Sequence, residues 1–204
     1  MNDLSKINGF FSRLVDLFLL NILFVLAALP LITFGPALTA LYSVTLKMVR
    51  GEDAYPVRSF LRSFRENFRQ AFPVSLIFAC GAALLSADIR IALTHPGMLF
   101  TVIGVLSGVA LVLLGICALY FFPILARFRF TTKEIFLHIF AMIADRPGAF
   151  ASLVLLNVPF VFFFFYSPYT GAAVTVFLLM IGFAAMSYVQ SLIFRPLFAP
   201  YEQS

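Results

Sequence analysis

Four arginines, Arg58, Arg62, Arg65 and Arg69, recur at i, i+4, i+7 and i+11, the spacing that lines side chains along one face of a helix. A row of guanidinium groups attracts anions. The anions are either the phosphates of lipid headgroups, at about 1 kcal/mol per basic residue beside a charged membrane, or the carboxylates of a protein partner. Phe60, Leu61, Phe64 and Phe68 form an apolar stripe beside them, and Asn67 lies in the same window. An apolar face next to a basic one predicts an amphipathic helix over 57–72 that lies in the plane of a membrane interface. Lipid anchoring and partner docking are both open on these residues. Arg58, Phe60, Arg62, Phe64, Arg65, Asn67, Phe68 and Arg69 are therefore the expected interface.

Other residues able to do chemistry are sparse. His95 and His138 are separated by a whole apolar stretch, and no Ser-His-Asp order, HExxH, Walker loop or GxGxxG occurs. Without convergent carboxylates, a metal cluster or an activated nucleophile, the chain is not expected to be an enzyme, and no cofactor or metal is expected. Cys80 and Cys117 sit inside apolar stretches and read as small buried residues rather than a disulfide. Asp16 stands at i+3 from Arg13, a spacing that pairs them on a helix. Asp88 and Arg90 read as an interfacial pair, and Asn157 and Gln190 as interhelical hydrogen-bonding amides. Gly104 and Gly108 give a small-xxx-small surface for close helix approach.

The elements that hold these residues are written in the placement of charge. The 204-residue chain is 62% hydrophobic and 11% charged, against about 25% charged in soluble domains. Its mean hydropathy is +1.03. It reads as one integral membrane domain over 1–204, all-α, a polytopic helical bundle of six transmembrane helices with two cytoplasmic amphipathic helices. Apolar segments run over 14–32, 36–49, 73–93, 98–125, 149–166 and 171–194. The first has no Ala-x-Ala site, so it reads as a retained helix rather than a cleaved signal. Thr131 and Glu134 stand in capping-box relation and start the second short amphipathic helix, ended by Asp145-Arg146-Pro147-Gly148.

Pro30, Thr33, Gly35 and Pro36 make an uncharged hairpin turn between the first two segments, with Gly35 expected to allow the reversal and Pro36 to open a new helix. The second segment is short. It either crosses, with Lys47 and Arg50 snorkelling to the interface, or forms a re-entrant or interfacial piece. Charge decides for crossing: six spans gather the basic windows 50–69 and 127–146, Lys6, Arg13 and Arg195 on one side. The positive-inside rule then makes both termini cytoplasmic. The net charge of +5 follows from the same flanking loops, so nucleic acid is not an expected partner.

Residues 29–36, Leu-Pro-Leu-Ile-Thr-Phe-Gly-Pro, followed by Ala-Leu-Thr-Ala-Leu-Tyr to Tyr42, resemble the signature of the YesL-type bacterial membrane proteins, a family of unknown function. The likeness continues through Lys47, Arg50-Gly51-Glu52, the window 59–70 and Phe122-Pro-Ile-Leu-Ala-Arg-Phe128. One departure is Ser59, where the family carries an acidic residue, so no salt bridge is expected at that point. The resemblance implies an accessory membrane protein linked to oligosaccharide import by ABC transporters, with permease subunits and membrane lipids as partners and no catalytic residues to carry over. A self-contained small-solute transporter or channel, a homo-oligomer, is the alternative; its polar residues would be Asn21, Asn157 and Gln190.

Overall fold

Hydrophobic runs bounded by Pro, Gly and polar turns fold here into helices and nothing else among the described residues. The computed structural model describes residues 3–52 and 55–202, with side chains from 11 to 201. The turn expected over 51–56 thus falls partly outside them, at Asp53 and Ala54. The helices are α1 (Asp3–Ala28), α2 (Phe34–Arg50), α3 (Pro56–Thr94), α4 (Met98–Arg127), α5 (Thr132–Asp145), α6 (Pro147–Tyr166), α7 (Pro168–Phe177) and α8 (Phe183–Phe198). A five-residue π segment, Leu178–Gly182, joins α7 to α8 without a break, and a 3-10 turn, Ala199–Glu202, follows. The chain is a helical membrane protein. Five of its helical stretches are long and apolar enough to cross a bilayer: α1, α3, α4, α6 and the run Pro168–Tyr201. At 17 residues α2 is not one of them, so the sixth crossing expected there has no support in its length.

The second correction concerns the arginine window. Residues 57–72 do not form a separate helix in the plane of the interface. They are the first half of α3, one continuous helix of 39 residues with Pro73 in its interior. At 1.5 Å per residue it is about 58 Å long, nearly twice a hydrocarbon core of about 30 Å. A helix that crosses along its second half cannot also lie flat along its first without a break. Proline usually ends a soluble helix, but it is tolerated inside membrane helices, where neighbouring groups satisfy the freed backbone.

The hairpin between α1 and α2 is closed by Leu31, whose φ of 53° puts it in the left-handed region. Gly35 is already helical and serves a different purpose from the reversal expected of it. A Cβ there would lie 2.8 Å from Ser75 Oγ and 2.9 Å from Phe122 Cε1. Its missing side chain lets α2 lie directly on α3 and α4. Pro36 falls in the first turn of α2, as expected. Gly104 has the same role farther along, where a Cβ would come within 2.7 Å of Ala92 Cβ on α3, while Gly108 meets open space. Of the small-xxx-small pair, one glycine makes the close contact.

Two buried clusters share the end of the bundle that carries the arginines. One joins α1, α2 and Phe60 of α3; the other joins α2 with Ala71 and Val74 of α3, Tyr120–Leu125 of α4, and α5 and α8. The apolar face of α5 therefore packs inward through Ile135, Ile139 and Met142. Its capping box forms as expected. The Thr131 N–H donates to Glu134 Oε2 at 2.7 Å, which holds that carboxyl below the usual carboxylate range, and the Glu134 N–H donates to Thr131 Oγ1 at 3.4 Å.

Candidate functional site

The first half of α3 carries a different chemistry on each side. Arg58, Arg62, Arg65 and Arg69 are all exposed and line one groove with Phe64 and Phe68. Arg62 Nε donates to Glu66 Oε1 at 2.9 Å, an exposed i,i+4 pair of the kind that adds little to stability because water screens it. Phe60 is the exception in the expected interface. At 1% exposure it belongs to the cluster between α1 and α2, so it holds the helix in place and offers nothing to a partner. Phe60, Phe64, Phe68 and Phe72 continue as a ladder of ring contacts with centroids 5.3–6.4 Å apart, which stiffens this half of the helix.

On the other side of the same turns is a cleft of about 820 Å³ between α2, α3 and the junction of α4 with α5. Lys47, Arg127 and Arg129 line it against a single carboxylate, Glu66. Asn67 turns into this cleft region, its Nδ2 donating to the Ser63 carbonyl at 3.0 Å, and Gln70 Nε2 donates to the Phe130 carbonyl at 2.9 Å, tying α3 to the second basic window. The two basic windows, remote in sequence, thus make one cationic end of the molecule. The sequence signal for the cleft is modest: Ser63, Asn67 and Gln70 at i, i+4 and i+7 make a polar face between the arginines and Phe60.

The two amides expected to hydrogen-bond between helices do so, with each other and with α2. Tyr42 on α2 donates its hydroxyl to Gln190 Oε1 on α8, Gln190 Nε2 donates to Asn157 Oδ1 on α6 at 3.0 Å, and Asn157 Nδ2 donates to the Leu153 carbonyl at 2.7 Å. One turn along, Thr45 Oγ1 lies 2.9 Å from both Ser187 Oγ and Ser191 Oγ. Tyr42, Asn157, Ser187 and Gln190 are the polar part of a cavity of about 480 Å³, otherwise walled by side chains such as Phe34, Phe122, Phe160, Phe164 and Phe183. No charged residue lines it. Polar residues at helical spacing in apolar segments (Tyr42 and Thr45; Ser187, Gln190 and Ser191) were the available signal for this network.

Asn21 belongs to a separate clamp. It is fully buried; its Nδ2 donates to the carbonyls of Leu178 at 3.2 Å and Leu179 at 2.8 Å, and its Oδ1 accepts from the Ala184 N–H at 3.0 Å. A π segment leaves backbone groups out of the regular ladder, and here one side chain from α1 takes three of them. Asp16 makes no ion pair with Arg13 among the described residues, and Asp88 accepts a hydrogen bond from Ser107 at 3.4 Å rather than pairing with Arg90. Cys80 is exposed and Cys117 half-buried, both as free thiols.

Residues 17–89, which hold the hairpin, Gly35, the arginine row and the contact of α2 on α3, match the model of the family described as "Protein of unknown function, DUF624". Most of the chain is also similar to the Bacillus subtilis (strain 168) protein called "Uncharacterized protein YesL", at 29% identity over 197 residues, 89% of this chain and 90% of that protein. Both likenesses are to the YesL-type proteins, a family of unknown function. No solved structure matches it.

The family match coincides with the densest packing. Residues 17–89 contain the second half of α1, all of α2 and most of α3, and α2 is buried along most of its length. The signature residues 29–36 are the tip of the hairpin and the glycine that seats it.

Proposed function

We propose that this YesL-type protein is a non-enzymatic accessory subunit of an oligosaccharide ABC importer in the bacterial plasma membrane. Both termini and the cationic end face the cytoplasm, in keeping with the positive-inside rule. One observation carries the reading. The arginine row stands exposed on a helix whose other half is part of the membrane bundle, so whatever binds the row is held at a fixed distance from the bilayer. Arginine forks recognise carboxylates and phosphates in pairs of parallel hydrogen bonds, which suits an acidic face of a permease subunit, with anionic lipid as neighbour. ATP hydrolysis in such an assembly comes from another chain, since this one has no nucleotide-binding loop.

Purification of the tagged protein from native membranes in mild detergent tests this. Permease subunits are expected to come with it, and a variant with Arg58, Arg62, Arg65 and Arg69 all changed to glutamate is expected to lose them while remaining in the membrane. Recovery of the wild-type protein free of permease subunits sinks the proposal.

The cavity floored by Tyr42, Asn157 and Gln190 favours a second reading, a self-contained carrier of a small uncharged solute, acting as a homo-oligomer. Labelled sugar entering liposomes that contain only this protein would support it, and no uptake would remove it.

A further inference from the structure

The tip of the α1–α2 hairpin stands beside the middle of α3, not its end. Gly35 packs against Ser75 and Phe122 at once, so these three residues mark one level across α2, α3 and α4. Past that level residues 76–94 of α3 extend about 28 Å, and residues 98–121 of α4 about 36 Å, at 1.5 Å per residue. These extensions carry exposed Leu76, Ile77, Leu84, Val102, Val109 and Leu113 and no charged residue before Asp88 on α3 or anywhere on this part of α4. Their charge-free lengths, about 18 Å over residues 76–87 of α3 and about 36 Å on α4, already cover more than half of a hydrocarbon core of about 30 Å. Shifting the bilayer so that α1 and α2 crossed it would strand this apolar surface in water and bring the arginine row into lipid.

The tip itself is built for an apolar medium. Leu29, Leu31 and Ile32 are exposed, Leu31 at 81%, whereas turns in water favour polar residues, Gly and Pro. Several of its backbone groups find partners within the hairpin. The N–H groups of Leu31, Phe34 and Ala37 donate to the carbonyls of Ala28, Leu31 and Thr33 at 2.9, 3.1 and 2.9 Å, and Pro30 has no N–H to satisfy. The Thr33 hydroxyl donates to the Ala27 carbonyl at 2.5 Å. Irregular backbone within a bilayer requires such internal partners.

We infer that α1 and α2 form a re-entrant hairpin, inserted from the arginine side and returning to it, whose exposed apolar tip lies among the acyl chains of that leaflet. Four passes then remain: α3, α4, α6 and the run from α7 to α8. The hairpin replaces two crossings without altering the side of any basic window, which is why charge sorting alone does not distinguish it from a six-span bundle. The inference is independent of any partner at the arginine row.

The test uses the full-length chain in proteoliposomes, with Cys80→Ala and Cys117→Ala as background and single cysteines introduced by Leu29→Cys, Leu31→Cys, Tyr55→Cys and Met98→Cys. A membrane-impermeant maleimide is expected to reach Tyr55→Cys and Met98→Cys from opposite faces and the two tip positions from neither. Nitroxides at the tip positions are expected to collide with oxygen rather than with a water-soluble nickel chelate, at a depth in the leaflet nearer Tyr55. Labelling of the tip from the Met98 face means a full crossing and overturns the inference; labelling from the Tyr55 face means a tip in water and overturns it equally. Leu29→Cys keeps the test decisive if the left-handed Leu31 position does not accept cysteine.

Discussion

Helices α2 and α4 invert the usual link between hydrophobicity and burial. The shorter α2 contains Thr39, Thr45, Lys47 and Arg50, yet it is buried from Gly35 to Val49 apart from Leu38, Ser43 and Lys47. From Met98 to Leu119, α4 has no charged residue, yet Ser107 is the one buried position. In water this would be unstable, because folding is driven by removing apolar surface from solvent. In a bilayer the acyl chains receive α4, and protein contacts go where polar groups need partners or where a missing side chain allows close approach. The molecule thus has a protein-packed end, which holds the arginines, the polar network and the π clamp, and a lipid-packed end.

Four substitutions probe the contrast, in falling order of effect. Asn21→Leu should be the most damaging, since it leaves two carbonyls of the π segment and the Ala184 N–H without their partner. A loss of about 2–3 kcal/mol is expected, read as a fall in the unfolding midpoint in detergent; an unchanged midpoint would mean that the clamp is dispensable. Gly35→Ala should cost about 1–3 kcal/mol, as overpacking against Ser75 and Phe122 pushes α2 off α3, and disulfide trapping between cysteines on α2 and α3 would report the displacement. Thr131→Ala should cost about 1 kcal/mol through the lost N-cap of α5, measurable by hydrogen exchange at the start of that helix. Leu113→Ala on the lipid-packed end should change stability by less than about 0.5 kcal/mol; a larger loss in the same detergent assay would show protein contact at that face.

The capping box adds a dependence on pH. The Glu134 carboxyl lies below its ordinary value because the folded state donates to its charged form. A depressed folded value means that this contribution is present above the unfolded pKa and is lost as pH falls through the folded one. Exchange protection at the start of α5 should therefore weaken in acid, with Glu134→Gln protected less at neutral pH and insensitive to that fall.

What could be read beforehand depended on whether the cause was local. The capping box and the end of α5 at Asp145 follow from neighbouring residues, and both appear as expected. Pro73 suggested a boundary because proline breaks helices in water, but the surroundings let α3 run through it. Phe60 looked like part of an exposed stripe, and only the position of α1 shows that it faces inward. Asn21 gave no sign of its partners, which lie more than 150 residues away.

The π segment has a consequence for counting along the chain. The cavity residues Val174, Leu178, Phe183, Ser187 and Gln190 are separated by steps of four, five, four and three. A regular helix keeps one face in phase with steps of three and four, and the five falls within the π segment. The supernumerary residue acts as a shim: deleting one position there would rotate everything upstream by about 100°, turning Val174 away from the cavity while Gln190 kept its bearing.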